Sequence, residues 1–349
     1  MTPAPPAAPA EAEALKIGPV ALTNPFFLAP LAGLSNWPFR RLAKEAGAGL
    51  TVTEMVSATA LAHRGRATLE LLKTDPDLEK PFCVQLFGKD PDHLAEAARV
   101  AVAQGADIID FNLGCPARKV VLSGHGAALL KEPQVVVGLV RALVRAVKAP
   151  VTVKTRPAFS PGAGTTVFDL LPRLVDEGLA ALTLHPRPAS AGFAGRADWS
   201  LVARLAEKSP IPIIGSGDIT EPAEAVARLR DSGAAAVMIG RGAKGRPWLF
   251  RQCLEAWRGE PTRPATPAEK LLTAERHARL LAELIGPRRA PFLLRTVLMW
   301  YTKGWRGAAE FRVRLCREED LETQLGLLAE CAQSQRETAG EGPDMEINT

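Results

Sequence analysis

Aromatic residues are scarce in this chain. Phe, Trp and Tyr make up 5% of 349 residues, with a single tyrosine, so an aliphatic core is expected. Cysteine is sparse too. Cys83, Cys115, Cys253, Cys316 and Cys331 are an odd number without C-x-x-C spacing. That excludes a zinc or disulfide framework and fits a reduced, cytoplasmic setting. No apolar run reaches the roughly 18 residues that a membrane helix needs. Residues 1–16 open Pro/Ala-rich without a basic start, unlike a signal peptide, and read as a disordered lead-in. No G-x-G-x-x-G follows the first strand-like run, which weighs against a dinucleotide-binding open sheet. No Ser-His-Asp order or metal-ligand cluster stands out, and His63, His93, His125 and His277 are scattered as structural or surface residues.

What is present is an ordinary globular composition, 47% hydrophobic and 23% charged. Gly and Pro, 29 each, are too few for low complexity. The net charge of +5 is unevenly placed: residues 265–317 carry eleven Lys/Arg against four acids. A basic region beside a near-neutral body points to a polyanionic partner, although a solvated helical face has the same composition.

Strand-length apolar runs recur at 26–30, 50–54, 82–86, 108–112, 151–154, 181–185, 212–215 and 236–240. They are rich in Val, Ile, Leu and Phe, as doubly buried parallel strands are. Amphipathic stretches lie between them, and Gly47, Gly105, Gly178 and Gly233 stand where helix C-caps belong. Eight such units predict an α/β fold, a (β/α)8 TIM barrel over residues 17–258, with a doubly wound sheet as the structural rival. Residues 258–266 read as a linker. Helical patterns at 267–285, 290–301 and 317–332 then predict a small C-terminal all-helical domain over 259–336, followed by a flexible tail, 337–349.

Barrel sites gather at strand C-termini. Those ends read Pro30, Glu54, Gln85, Asn112, Lys154, His185, Gly215-Ser216 and Gly240-Arg241. Polar residues closing apolar strands need partners, and together they point to a mouth built for a polar ligand. The loops Gly215-Ser216-Gly217-Asp218 and Gly240-Arg241-Gly242 follow runs seven and eight, where barrels bind phosphate, and Arg241 adds a guanidinium fork. Cys115, in Asn112-Leu113-Gly114-Cys115-Pro116, is placed as a nucleophile or proton donor.

The segments Leu28-Ala29-Pro30-Leu31-Ala32-Gly33, Trp37-Pro38-Phe39-Arg40 and Asn112-Leu113-Gly114-Cys115-Pro116-Ala117-Arg118-Lys119-Val120 resemble motifs of the tRNA-dihydrouridine synthases. So do Val151-Thr152-Val153-Lys154, His185-Pro186-Arg187 and Gly215-Ser216-Gly217-Asp218-Ile219. Residues 238–250 and Trp300-Tyr301-Thr302-Lys303-Gly304 are similar to the bacterial B-type branch, and the resemblance spans about residues 17–330. It implies a flavoenzyme that binds FMN, is recharged by NADPH and reduces the C5–C6 bond of particular tRNA uridines. By that resemblance Pro30, Leu31 and Ala32 line the flavin, Gln85 and Lys154 bond its polar edge, and His185 lies near it. Ser216, Gly217, Asp218, Gly240 and Arg241 hold its phosphate. Cys115 is the catalytic acid, and Asn112, Lys119 and Arg187 bond the uracil or a nearby phosphate. Lys303 and Arg306 belong to the basic helical domain that grips tRNA. The chain departs from the family pattern at Leu31 (often Met), Ser216 (usually Asn) and Val297 (often His in the B-type). The expected protein is a monomer without metal or membrane attachment. Alternatives are a flavin barrel acting on a free pyrimidine, a non-catalytic RNA-binding relic, and a sugar-phosphate isomerase or lyase barrel.

Overall fold

A computed structural model of the chain describes residues 15–339, with side chains to residue 335. Residues 1–14 and 340–349, most of the expected lead-in and tail, lie outside the described residues. Two compact units result: Met1–Ala243 with Leu249–Thr262, and Lys244–Trp248 with Arg263–Thr349.

The first unit is a closed parallel barrel of eight strands: β1 (Phe26–Leu28), β2 (Leu50–Val52), β3 (Phe82–Phe87), β4 (Ile108–Asn112), β5 (Val151–Thr155), β6 (Ala181–Leu184), β7 (Ile213–Ser216) and β8 (Ala236–Ile239). Each pairs with the next, and β8 returns to β1 with Val237 opposite Phe26. All eight lie within two residues of the apolar runs. The helices between them start and stop where their sequences say. Asp90 caps helix Pro91–Ala103 by accepting the His93 N–H at 2.8 Å, and Gly105 follows with φ +94°.

A hairpin that sequence periodicity does not signal, Lys16–Ile17 against Val20–Ala21, begins one residue inside the expected lead-in. Its Ile17 and the following Leu22 pack against Leu50, Ile108, Ala181 and Ala236, residues at or near the starts of their strands. The hairpin thus plugs the N-terminal end of the barrel. Side chains such as Leu50 or Ile108, each worth roughly 1.5–3 kcal/mol when buried, fill the lower interior. The space left around Asp110 is a cavity of about 10 Å³.

Arg40 and Glu79, both fully buried, tie helix Trp37–Glu45 to the chain entering β3. Arg40 also donates to the Ser35 and Lys73 carbonyls, at 3.0 and 2.6 Å. Glu79 accepts from Thr51 Oγ1 and Thr74 Oγ1, each at 2.8 Å.

The second unit holds helices Pro267–Ile285, Ala290–Tyr301, Ala308–Leu315 and Leu321–Ala339. Their apolar faces meet around Leu281, Leu294, Leu298, Phe311, Leu315 and Leu328. Val297, the departure from the family's His, is buried in this cluster. The helix expected over 317–332 is present as Leu321–Ala339, and a further helix that the sequence pattern does not signal, Ala308–Leu315, precedes it. Helix Ala308–Leu315 buries only Ala308, Phe311 and Leu315 among arginines, so its apolar stripe is thin. The last helix starts later because Asp320 accepts the Thr323 N–H at 2.9 Å, and it runs to Ala339, past the expected start of the tail.

Glu79→Ala leaves the Arg40 guanidinium buried and unpaired. It is expected to lower unfolding stability by about 3–5 kcal/mol in urea titrations; an unchanged midpoint would contradict the assigned role of this pair.

Candidate active site

Strand alternation sets the polar residues of β4. Ile109 and Phe111 are fully buried on the helix side, which turns Asp110 and Asn112 inward. Thr152 Oγ1 donates to Asp110 Oδ1 and Gln85 Nε2 donates to Asp110 Oδ2, both at 2.6 Å. Asn112 Nδ2 donates to Gln85 Oε1 at 2.8 Å. Asn112 Oδ1 accepts the backbone N–H of Cys115 at 3.0 Å and of Gly114 at 3.2 Å. The loop is held from its far side as well: Leu113 N–H donates to the Lys154 carbonyl at 2.8 Å, and Ala127 N–H to the Cys115 carbonyl at 3.1 Å. Gly126, at φ +58°, lies against Cys115, where an added Cβ would stand 3.1 Å from the cysteine Cβ. Cys115 itself is partly exposed.

The electrostatics follow from burial. Burial pushes the Asp110 carboxyl up, while the Thr152 and Gln85 bonds and the Lys154 charge pull it back. Burial brings the Lys154 ammonium down to about 8, with Asp110 opposing and Arg156 reinforcing the fall. Lys154 therefore remains mostly charged at pH 7.

The β6–β8 side of the mouth is richer in cations. Arg187 is buried, and its Nη2 donates to Asp218 Oδ2 at 2.6 Å and to the Gly195 carbonyl at 2.6 Å. Its Nε donates to the Ala194 carbonyl at 3.2 Å. Arg156, also buried, donates to the carbonyls of Gly114 at 3.0 Å, Pro188 at 3.1 Å and Gly192 at 2.8 Å, joining the loops after β4 and β6. Burial, then Lys154, Arg156 and Arg187, hold His185 down to about 2, so its ring is neutral. Asp218 stands at φ +51° and also accepts the Ala197 N–H at 2.8 Å. Arg241, about half exposed, has its guanidinium 3.6 Å from Asp218 and under the Phe193 ring.

Glycine is required here by close approach. A Cβ on Gly215 would meet the Trp199 ring at 2.3 Å, and one on Gly242 the Ile219 carbonyl oxygen at 2.2 Å. At Gly240 a Cβ would make ordinary contact with Ala29 and Leu31, 3.7 Å from each. The Ser216 hydroxyl is committed to the Met238 carbonyl at 2.9 Å.

The structure thus joins Gln85, Asn112, Cys115 and Lys154 on one side and His185, Arg187, Asp218 and Arg241 on the other. Pro30, Leu31 and Ala32 form the turn after β1, pinned by Ser35 Oγ on the Leu31 N–H at 2.8 Å and by Glu54 on the Gly33 N–H at 2.7 Å. Lys119 is exposed on helix Arg118–Leu122. Lys303 and Arg306 are exposed in the second unit. Arg187 and Asp218 spend much of their bonding capacity on each other and on backbone. Two participants escaped the sequence reading, Asp110 and Arg156. Each is a charge inside or just past an apolar strand, a signal that the strand's last residues do not carry. Among the described residues no group of three His, Cys, Asp or Glu side chains could hold a metal, and no helix is long and apolar enough to cross a membrane.

Two solved structures share the fold. Histamine dehydrogenase from Rhizobium sp. matches with TM-score 0.56 at 15% identity, over 77% of this chain and 50% of its own. Morphinone reductase in complex with tetrahydroNAD matches with TM-score 0.54 at 16% identity, over 76% of this chain and 94% of its own. Sequence goes further. The probable tRNA-dihydrouridine synthase 1 of Synechocystis sp. is 38% identical over 306 residues, 87% of this chain and 85% of the relative. The tRNA-dihydrouridine synthase B of Escherichia coli is 38% identical over 319 residues, 90% of this chain and 98% of the relative. The sequence model of the dihydrouridine synthase (Dus) family matches residues 27–337. With that match across both units and relatives of this similarity, the chain belongs to the dihydrouridine synthase family, with its B-type members.

Proposed function

We propose that this protein reduces the C5–C6 double bond of uridines in tRNA, giving dihydrouridine. The observation that carries this reading is the constellation at the mouth: a partly exposed thiol, Cys115, in a loop pinned by Asn112, beside a charged Lys154 and a neutral His185. Saturating a carbon–carbon double bond takes one hydride and one proton. When bound, FMN recharged by NADPH supplies the hydride.

The donor set suits that cofactor. The backbone of Ser216, Gly217, Asp218, Gly240 and Arg241 belongs to loops in which Gly215, Gly217 and Gly242 leave little or no room for a Cβ, and the Arg241 charge complements a phosphate. Asp218 contributes through its backbone, because its carboxylate is held by Arg187. Ser216 likewise offers its N–H, since its hydroxyl proton goes to Met238. Pro30, Leu31 and Ala32 supply an apolar wall, with the Leu31 N–H already bonded to Ser35 Oγ. Gln85 and Lys154 address the polar edge of the ring system, with Lys154 cationic below about pH 8. His185 serves as an uncharged hydrogen-bonding ring.

Cys115 delivers the proton to C5. It is the thiol form that has a proton to give. Asn112, Lys119 and Arg187 orient the uracil or an adjacent phosphate. The target base must leave its stack to reach these groups, and basic residues of the helical unit, Lys303 and Arg306 among them, hold the RNA backbone. A free pyrimidine would make no use of such a basic unit.

Cys115→Ala is expected to keep cofactor and tRNA binding while losing about 10²-fold or more of turnover, read as dihydrouridine formed per minute; turnover at the wild-type rate would remove Cys115 as the acid. Lys303→Glu with Arg306→Glu is expected to weaken tRNA binding and to flatten its dependence on salt by roughly one unit of slope per lost phosphate contact. Titrations at two salt concentrations check this, and unchanged affinity at low salt would remove these residues from the interface.

A further inference from the structure

The hydrogen-bond chain that ends at Cys115 has a direction, and the chemistry of Asp110 sets it. A carboxylate has no proton to give. It can only accept, here from Thr152 Oγ1 and from Gln85 Nε2. A Gln85 amide turned that way has its oxygen left for Asn112, whose Nδ2 donates to it. Asn112 then has only its oxygen to offer to the N–H groups of Gly114 and Cys115. Either amide flipped end for end would fill the same space, but a flipped Asn112 would set its NH₂ against two backbone N–H donors. Asp110, Gln85 and Asn112 are 2%, 0% and 6% exposed, so solvent does not repair a mismatch.

We propose that Asp110 is a positioning residue for uridine reduction: its ionised carboxylate, three links from Cys115, orients the Gln85 and Asn112 amides and so holds the Cys115 loop in its working geometry. The inference rests on Cys115 being the proton donor. The titratable groups that face Asp110 are Cys83 on β3 and Lys154 on β5. Burial keeps Cys83 a neutral thiol; burial also raises the Asp110 carboxyl, opposed by the Thr152 and Gln85 bonds and by the Lys154 charge, all of which favour the ionised form. Thr152 bonds Asp110 from outside the chain of amides and leaves their direction to the carboxylate.

The test uses the flavin-loaded protein with unmodified tRNA. Asp110→Asn can turn either end toward Gln85, so the direction is lost. Turnover is expected to fall by about 10²-fold, the scale of a misplaced reacting group, with KM for tRNA within about twofold. Alkylation of Cys115 by iodoacetamide is expected to change in rate as the loop loosens. Combining Asp110→Asn with Gln85→Glu moves the carboxylate one link along, where it accepts from Asn112 and from the amide introduced at position 110; because Gln85 also faces the cofactor, this pair is read by alkylation, and its Cys115 rate is expected to return toward the wild-type value. Thr152→Val removes one bond to the carboxylate, raises the pH at which it protonates, and is expected to shift the acid limb of the turnover profile upward.

Equal turnover and equal alkylation in Asp110→Asn and wild type would overturn the proposal, as would a double variant whose Cys115 alkylation rate stays that of the single one. Should Asp110→Asn not fold, Thr152→Val decides: a lowered melting temperature with the acid limb unmoved means that Asp110 only stabilises the barrel. Should the wild type itself leave tRNA uridines unreduced, the functional reading fails. The alkylation rate of Cys115 in Asp110→Asn then still reports whether the carboxylate sets the loop.

Discussion

A carboxylate sealed inside a barrel must be met by donors, and most of the site's order descends from that requirement at Asp110. Thr152 and Gln85 answer it directly, at 2.6 Å each. Lys154 answers it with charge. Once Gln85 is turned toward Asp110, Asn112 and then the backbone of Gly114 and Cys115 have only one arrangement that leaves no donor facing a donor. Burying an ionised group is costly, and a network of this kind is stable only when every member is satisfied. Ile17 and Leu22 close the lower barrel near Asp110.

The other half of the mouth is organised by excess positive charge. Lys154, Arg156 and Arg187 act together on His185, Arg241 acts on Arg156, and Asp218 stands beside Arg187 and Arg241. Arg187 takes both oxygens of Asp218, at 2.9 and 2.6 Å, and Arg241 lies close by. The remaining charge is unspent and suits an anionic ligand. The same field keeps His185 neutral, which makes it a hydrogen-bonding ring rather than a cation. Glycines at 215, 217 and 242 let the strand-end loops pack so tightly that their backbones define the cradle.

The barrel was legible because its signals are local. Each strand is a short apolar run, and Gly47, Gly105, Gly178 and Gly233 all adopt the positive φ their capping positions demand. Asn112, Lys154 and His185 stand out in the sequence as polar residues ending apolar strands, and Cys115 by its Gly-Cys-Pro loop beside Asn112. Asp110 and Arg156 were not, since their meaning comes from partners on other strands: Gln85 and Thr152 for Asp110, the carbonyls of Gly114 and Gly192 for Arg156. Arg187 and Asp218 were placed as ligand contacts, and their mutual ion pair, 31 residues apart in sequence, is likewise a tertiary fact. Helix Ala308–Leu315 escaped because three apolar residues among arginines leave a weak period, and the hairpin at Lys16 because two-residue strands have no period at all.

The central claim is that reducing equivalents held at the barrel mouth pass to uridines in tRNA. The most direct measurement mixes anaerobically reduced protein with unmodified tRNA in a single turnover. It follows oxidation of the bound chromophore by absorbance and the tRNA by mass spectrometry. One uridine is expected to gain two hydrogen atoms for each chromophore oxidised, and a free pyrimidine in place of tRNA is expected to cause no comparable oxidation. A protein that is oxidised by the free pyrimidine and leaves the tRNA unchanged would contradict the claim.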